Sequence, residues 1–75
     1  MKNKYPNEHL ELRGLRAKNR LRLKDMAKIL GITPESYGLK ERGMYDFKES
    51  EINKILEYFD VKYEDVFLKG VDQGE

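Results

Sequence analysis

The chain holds one histidine and no cysteine in 75 residues, which removes disulfides and thiolate zinc sites from consideration. His9 has no second ligand at metal spacing and reads as a solvent-exposed side chain. Two pairs of acids are close enough to consider for catalysis. Glu49 and Glu51 are two apart, so on a helix they point to different sides. Glu64 and Asp65 open a short final helix, where acids complement the helix dipole. All four read as solvated or capping charges rather than a carboxylate dyad in a cleft. The glycines form no phosphate-cradling pattern. The sequence therefore predicts no enzyme, no metal and no cofactor. What remains is electrostatics. Net charge is only +1, but residues 1–24 carry eight basic and two acidic side chains, and residues 48–75 carry four basic and eight acidic. A chain polarised in this way can turn its basic end toward phosphates and hold its acidic end away.

The elements that must position those charges are short helices. Apolar and charged residues each make up 39% of the chain, so spacing rather than bulk composition decides the reading. A first helix is expected after Pro6-Asn7, with Asn7 as N-cap, Glu8 in the first turn, and Leu12 and Leu15 inward. A second helix is expected over residues 23–30, with Met26, Ala27 and Leu30 on one face and Gly31 ending it. Thr33 then caps a third helix, whose first position is Pro34, where the missing N–H costs nothing. This helix runs from Pro34 to about Arg42 and halts at Gly43. A fourth spans about Glu49 to Phe59 with Ile52, Ile55, Leu56 and Phe59 at helical spacing, and a short turn follows over Glu64 to Leu68. Phe59 and Phe67 are expected to complete the core; the competing reading makes Tyr58, Tyr63 and Leu68 a dimer surface.

No strand-like alternation is present, and no run approaches the roughly 20 apolar residues of a membrane span. The expectation is a cytoplasmic, all-α, compact domain of four to five helices over residues 8–69. It has an N-terminal arm at 1–7 and a flexible tail at 70–75. Two helices joined through Gly31-Ile32-Thr33 make a helix-turn-helix candidate.

The stretch from Leu12 to Phe67 resembles the DNA-binding domain of the lambda-repressor/Cro family, also called the XRE family. Leu12, Leu15 and Arg16 look like its first-helix signature, and Leu21 like the apolar residue before its second helix. Met26-Ala27, Leu30-Gly31-Ile32 and Tyr37 look like its helix-turn-helix core, and Glu41-Arg42-Gly43 like the close of its recognition helix. Phe47, the Ile52/Ile55/Leu56/Phe59 helix and Val61 to Phe67 resemble its closing helices.

The resemblance implies binding of double-stranded DNA by a sequence-specific transcriptional regulator, of the repressor type found in phages and mobile elements. The helix at Pro34–Arg42 would lie in the major groove. Matching positions put Pro34, Glu35, Gly38 and Leu39 toward the bases, with Thr33 and Ser36 reaching phosphate or bases. Arg22, Lys24, Lys40, Arg42, Met44 and Tyr45 would lie near the backbone. Arg16 and Glu41 would form the family's structural pair, and a homodimer on DNA is implied because one module covers one half-site.

The chain departs from the pattern at four points. Arg22-Leu23 replaces a Thr-Gln at the start of the second helix. Pro34 brings no donor, Gly38 brings no side chain, and Lys40 stands where a large apolar residue is common. The alternative these departures support is a helix-turn-helix fold used for protein–protein contact, as in an antitoxin-like or accessory factor.

Overall fold

The structure is a computed structural model that describes residues 5–68, with the side chain of Leu68 excepted. The expected tail at 70–75, most of the arm at 1–7 and the proposed role of Leu68 therefore lie outside the described residues. Four α-helices follow in order, α1 (Leu10–Lys18), α2 (Leu23–Leu30), α3 (Pro34–Glu41) and α4 (Glu49–Phe59), before a closing π-helical turn at Glu64–Leu68. The described residues are thus all helix and connection. None of the helices is long and apolar enough to cross a membrane.

α1 begins later than its sequence suggests. Its N-cap is His9 rather than Asn7, and the acid of its first turn is Glu11. The cause is tertiary: the His9 N–H donates to the Glu41 carbonyl at 2.9 Å, which ties the chain to the end of α3 before α1 can wind. α1 ends where Arg20 adopts a left-handed φ of 59° and its N–H reaches the Ala17 carbonyl at 2.9 Å. Asp60 closes α4 in the same way, with φ 56° and the Val61 N–H on the Leu56 carbonyl at 3.1 Å.

The core is formed where α1, α2, α3, α4 and the π-turn meet. Leu12, Met26, Tyr37 and Ile55 are completely buried, and Ala27, Leu30, Val66 and Phe67 complete the cluster. Each large side chain of this set contributes about 1.5–3 kcal/mol by leaving water. α2 packs most extensively against α3, and the small Ala27 permits their close approach. Phe67 is fully enclosed, Phe59 is half-buried, and Tyr58 and Tyr63 remain exposed.

His9 is not the solvated side chain its isolation suggests. It is half-buried, edge-on to the rings of Phe47 at 5.4 Å and Phe67 at 5.6 Å. Burial there holds its pKa below the usual imidazole value, against the opposing pull of Glu41 and Asp46.

Candidate nucleic-acid interface

The link between α2 and α3 is made by three residues with separate jobs. Gly31 takes φ 74°, ψ 32°, a left-handed conformation that glycine enters without a Cβ penalty. Ile32 turns inward, half-buried, with its N–H on the Ala27 carbonyl at 2.9 Å. Thr33 caps α3: its Oγ1 accepts the Ser36 N–H at 3.1 Å, with Pro34 behind it at the first helical position. At the head of α2 the side-chain cap is absent, because an arginine side chain has no acceptor. Asp25 substitutes in part, its Oδ2 accepting the Arg22 N–H at 2.7 Å.

α3 is divided along its length. Thr33, Pro34 and Glu35 are exposed and Ser36 is half-buried, whereas Tyr37, Gly38, Lys40 and Glu41 are buried and Leu39 is half-buried. Arg16 and Glu41 are bonded twice, Nε to Oε2 at 2.8 Å and Nη2 to Oε1 at 3.1 Å. The third arm of the guanidinium donates to the Leu21 carbonyl at 3.0 Å, so one side chain joins α1, the α1–α2 link and α3. The Tyr37 hydroxyl donates to Glu41 Oε2 at 2.8 Å. The hydrogen bond to Glu41 pushes the Arg16 pKa up, and burial pushes the Tyr37 hydroxyl up, so both remain donors to Glu41.

Lys40, expected near the DNA backbone, is instead drawn into the protein. It is 8% exposed, and its Nζ donates to both oxygens of Glu51 on α4, at 2.7 and 2.8 Å. An ammonium so engaged is not offered to a phosphate. Glu51, read from the sequence as solvated or capping, is 4% exposed; its Oε1 also accepts the Lys48 N–H at 2.9 Å and so caps α4. Burial works to raise its pKa, but the bonds from Lys40 and the Lys48 backbone outweigh it and hold the carboxyl below its usual range.

Arg22 and Lys24, beside the head of α2, are exposed, as are Met44 and Tyr45 in the link after α3. Arg20 is also exposed in this stretch and was missed as a candidate; the alternation Arg20-Leu21-Arg22-Leu23-Lys24 was the available signal. Arg42 lies half-buried with its guanidinium 5.6 Å from the centre of the Tyr5 ring. Tyr5, Arg13, Leu23, Gly38 and Arg42 border an open cleft of about 250 Å³ between α1, the head of α2 and the end of α3. Tyr5 gave no sequence signal, because the contact spans 37 positions.

The start of α3 and the cations before and at the head of α2 are exposed, whereas the far half of α3 is buried and bonded to α1 and α4. No family model matches the sequence, and no solved structure matches it. Among curated proteins it is similar to an uncharacterised HTH-type transcriptional regulator of Methanocaldococcus jannaschii, 36% identical over 73 residues, which is 97% of this chain and the whole of that protein. The matched stretch spans all the described helices. The chain belongs to the family of HTH-type transcriptional regulators.

Proposed function

We propose that this protein is a sequence-specific regulator of transcription that binds double-stranded DNA with the N-terminal half of α3 in the major groove, in the manner of the lambda-repressor/Cro class. The observation that carries the reading is the division of α3: its far half is anchored by Glu41 to Arg16 and by Lys40 to Glu51, leaving Thr33, Pro34 and Glu35 exposed. A helix so held presents its start as a rigid edge, which is what groove insertion requires. Glu35 accepts from a cytosine amino group and Leu39 meets a thymine methyl, while Arg20, Arg22 and Lys24 neutralise phosphates.

Repression is the simplest output, because occupancy of a promoter suffices for it. Two copies related by a two-fold axis, on half-sites about one helical turn apart, supply the affinity that one module lacks. Tyr58 and Tyr63, exposed at the end of α4 and the start of the closing turn, are available for pairing.

The test is a binding titration against random duplex DNA over a range of salt. The logarithm of the binding constant should fall linearly with that of salt, by about 0.9 for each phosphate neutralised. Three cations acting together give a slope near −3 per module, reduced by about one in Arg22→Ala. Absence of binding at low salt refutes the reading and favours the second one, a helix-turn-helix used for protein contact. The observation on that side is the exposure of Met44 and Tyr45 together with a recognition helix poor in polar readers.

A further inference from the structure

We propose that Arg42 reads a guanine in the DNA site, its guanidinium occupying the place of the side chain that Gly38 lacks. This rests on the placement of α3 in the major groove proposed above. Side chains on a helix lean toward its N-terminus, and residues four apart share a face. Arg42 is four residues beyond Gly38, about 6 Å further along the axis, a distance its side chain spans. The geometry follows suit. A Cβ built on Gly38 would be 3.8 Å from Arg42 Nη2 and 3.9 Å from its Cζ, with Leu23 Cδ1 at 3.5 Å on the other side. The guanidinium thus lies back over the glycine, and this cover contributes to the burial of Gly38. The position that the family resemblance turns toward the bases has no side chain of its own, and its place is filled from one turn downstream.

Two further features suit Arg42 to readout. Its orientation is fixed by the Tyr5 ring, 5.6 Å from Cζ, which limits the rotamer freedom lost on binding. Its donors are also uncommitted. Of the acids bordering the cleft, Glu8 is bonded to Arg13 at 3.1 Å, and Glu41 is bonded to Arg16 and Tyr37. No described residue forms an ion pair or hydrogen bond with the Arg42 guanidinium, whose residue is bonded through its backbone N–H to the Gly38 carbonyl at 3.1 Å. A planar fork of free donors, held on an aromatic face beside the buried Gly38, matches the O6 and N7 acceptors of guanine. Gly38 then has a role: a side chain longer than a methyl group there would take the space the arginine occupies.

Enrichment of bound sequences from a random duplex library tests this with the wild-type chain, Arg42→Lys and Arg42→Ala. The wild type should select a guanine at one position of each half-site, preferred about 10- to 100-fold over other bases. Both variants should lose that preference, the lysine variant included, because it keeps the charge but not the fork. A phosphate contact predicts otherwise: Arg42→Lys keeps the wild-type consensus, and Arg42→Ala weakens all sequences alike and lowers the salt slope by about one. That result overturns the assignment and leaves the DNA reading intact. If the wild type enriches nothing, the DNA reading fails and Arg42 has no base to read. Arg42 is not a core residue, and unchanged melting of both variants separates readout from folding.

Discussion

Replacing Lys40 with methionine tests whether polar bonds anchor α3. The substitution keeps length and apolar stem but removes the ammonium from between two Glu51 oxygens at 2.7 and 2.8 Å. Glu51 is then a 4% exposed carboxylate whose one remaining described partner is the Lys48 N–H. Breaking one side of a buried pair costs about 3–5 kcal/mol, and the surviving backbone bond argues for the lower end, about 3 kcal/mol. A chain of this size has about 4–11 kcal/mol in total, so Lys40→Met should lower Tm by roughly 12–24 °C. Glu51→Gln keeps an oxygen for the cap but loses the charge. In combination with Lys40→Met it leaves no uncompensated ion, so the double variant should be more stable than Lys40→Met alone.

The pH arm has a definite sign. In the wild type the folded pKa of Glu51 lies below its ordinary 4.5, so the pair's contribution is complete above that pH and lost as pH falls through the folded value. In Lys40→Met, burial dominates and the folded pKa rises, so protonation relieves the variant. The gap between the two proteins should therefore narrow between pH 7 and pH 4 in urea melts. Strictly additive single effects, with a pH-independent gap, would show that the two side chains are not coupled and would refute the anchor.

Three other outcomes follow from the same structure. Gly14 lies inside α1 with nothing within 4 Å of an added Cβ, so Gly14→Ala should stabilise by about 1 kcal/mol in chemical denaturation. Gly31 and Gly43 both have positive φ, 74° and 82°, but only at Gly43 would a Cβ run into the Asn7 carbonyl. Alanine should therefore cost about 1–2 kcal/mol at Gly31 and clearly more at Gly43; equal costs would mean that the Asn7 contact is not kept. His9 has a folded pKa below 6.5, so the unfolded chain binds its proton more readily. Stability should be complete above about pH 6.5 and decline as pH falls through that value toward the folded pKa, a slope that His9→Phe should remove.

What the sequence revealed depended on how local each signal was. The bounds of α2 and the start of α3 were legible because Gly31, Thr33 and Pro34 act on their own backbone. α4 was legible because four apolar residues keep one period over two turns. The start of α1 was not: Asn7 and Glu8 carry good capping chemistry, but the His9 N–H is taken by Glu41, 32 residues away. Spacing pairs neither Arg16 with Glu41 nor Lys40 with Glu51. Only the family likeness joined the first two, and nothing joined the second, because the likeness expects an apolar residue at position 40. His9 looked solvated for the same reason, since the rings of Phe47 and Phe67 reach it from distant segments.

These misses share a cause that bears on the interface. Hydrophobic burial is nondirectional, so it holds a helix against a core but only loosely fixes its rotation about its own axis. α3 has few apolar residues with which to do even that: Tyr37 is its one fully buried large side chain. Its orientation is instead set by directional bonds from two consecutive residues, Lys40 toward α4 and Glu41 toward α1. Adjacent residues on a helix point about 100° apart, so two such bonds constrain rotation as well as position. The constraint acts at the far end of α3, where Arg42 follows directly, and leaves the near end exposed. A helix fixed in this way can carry small or unconventional residues such as Pro34 and Gly38 on the side proposed to meet the groove, because its placement does not depend on them.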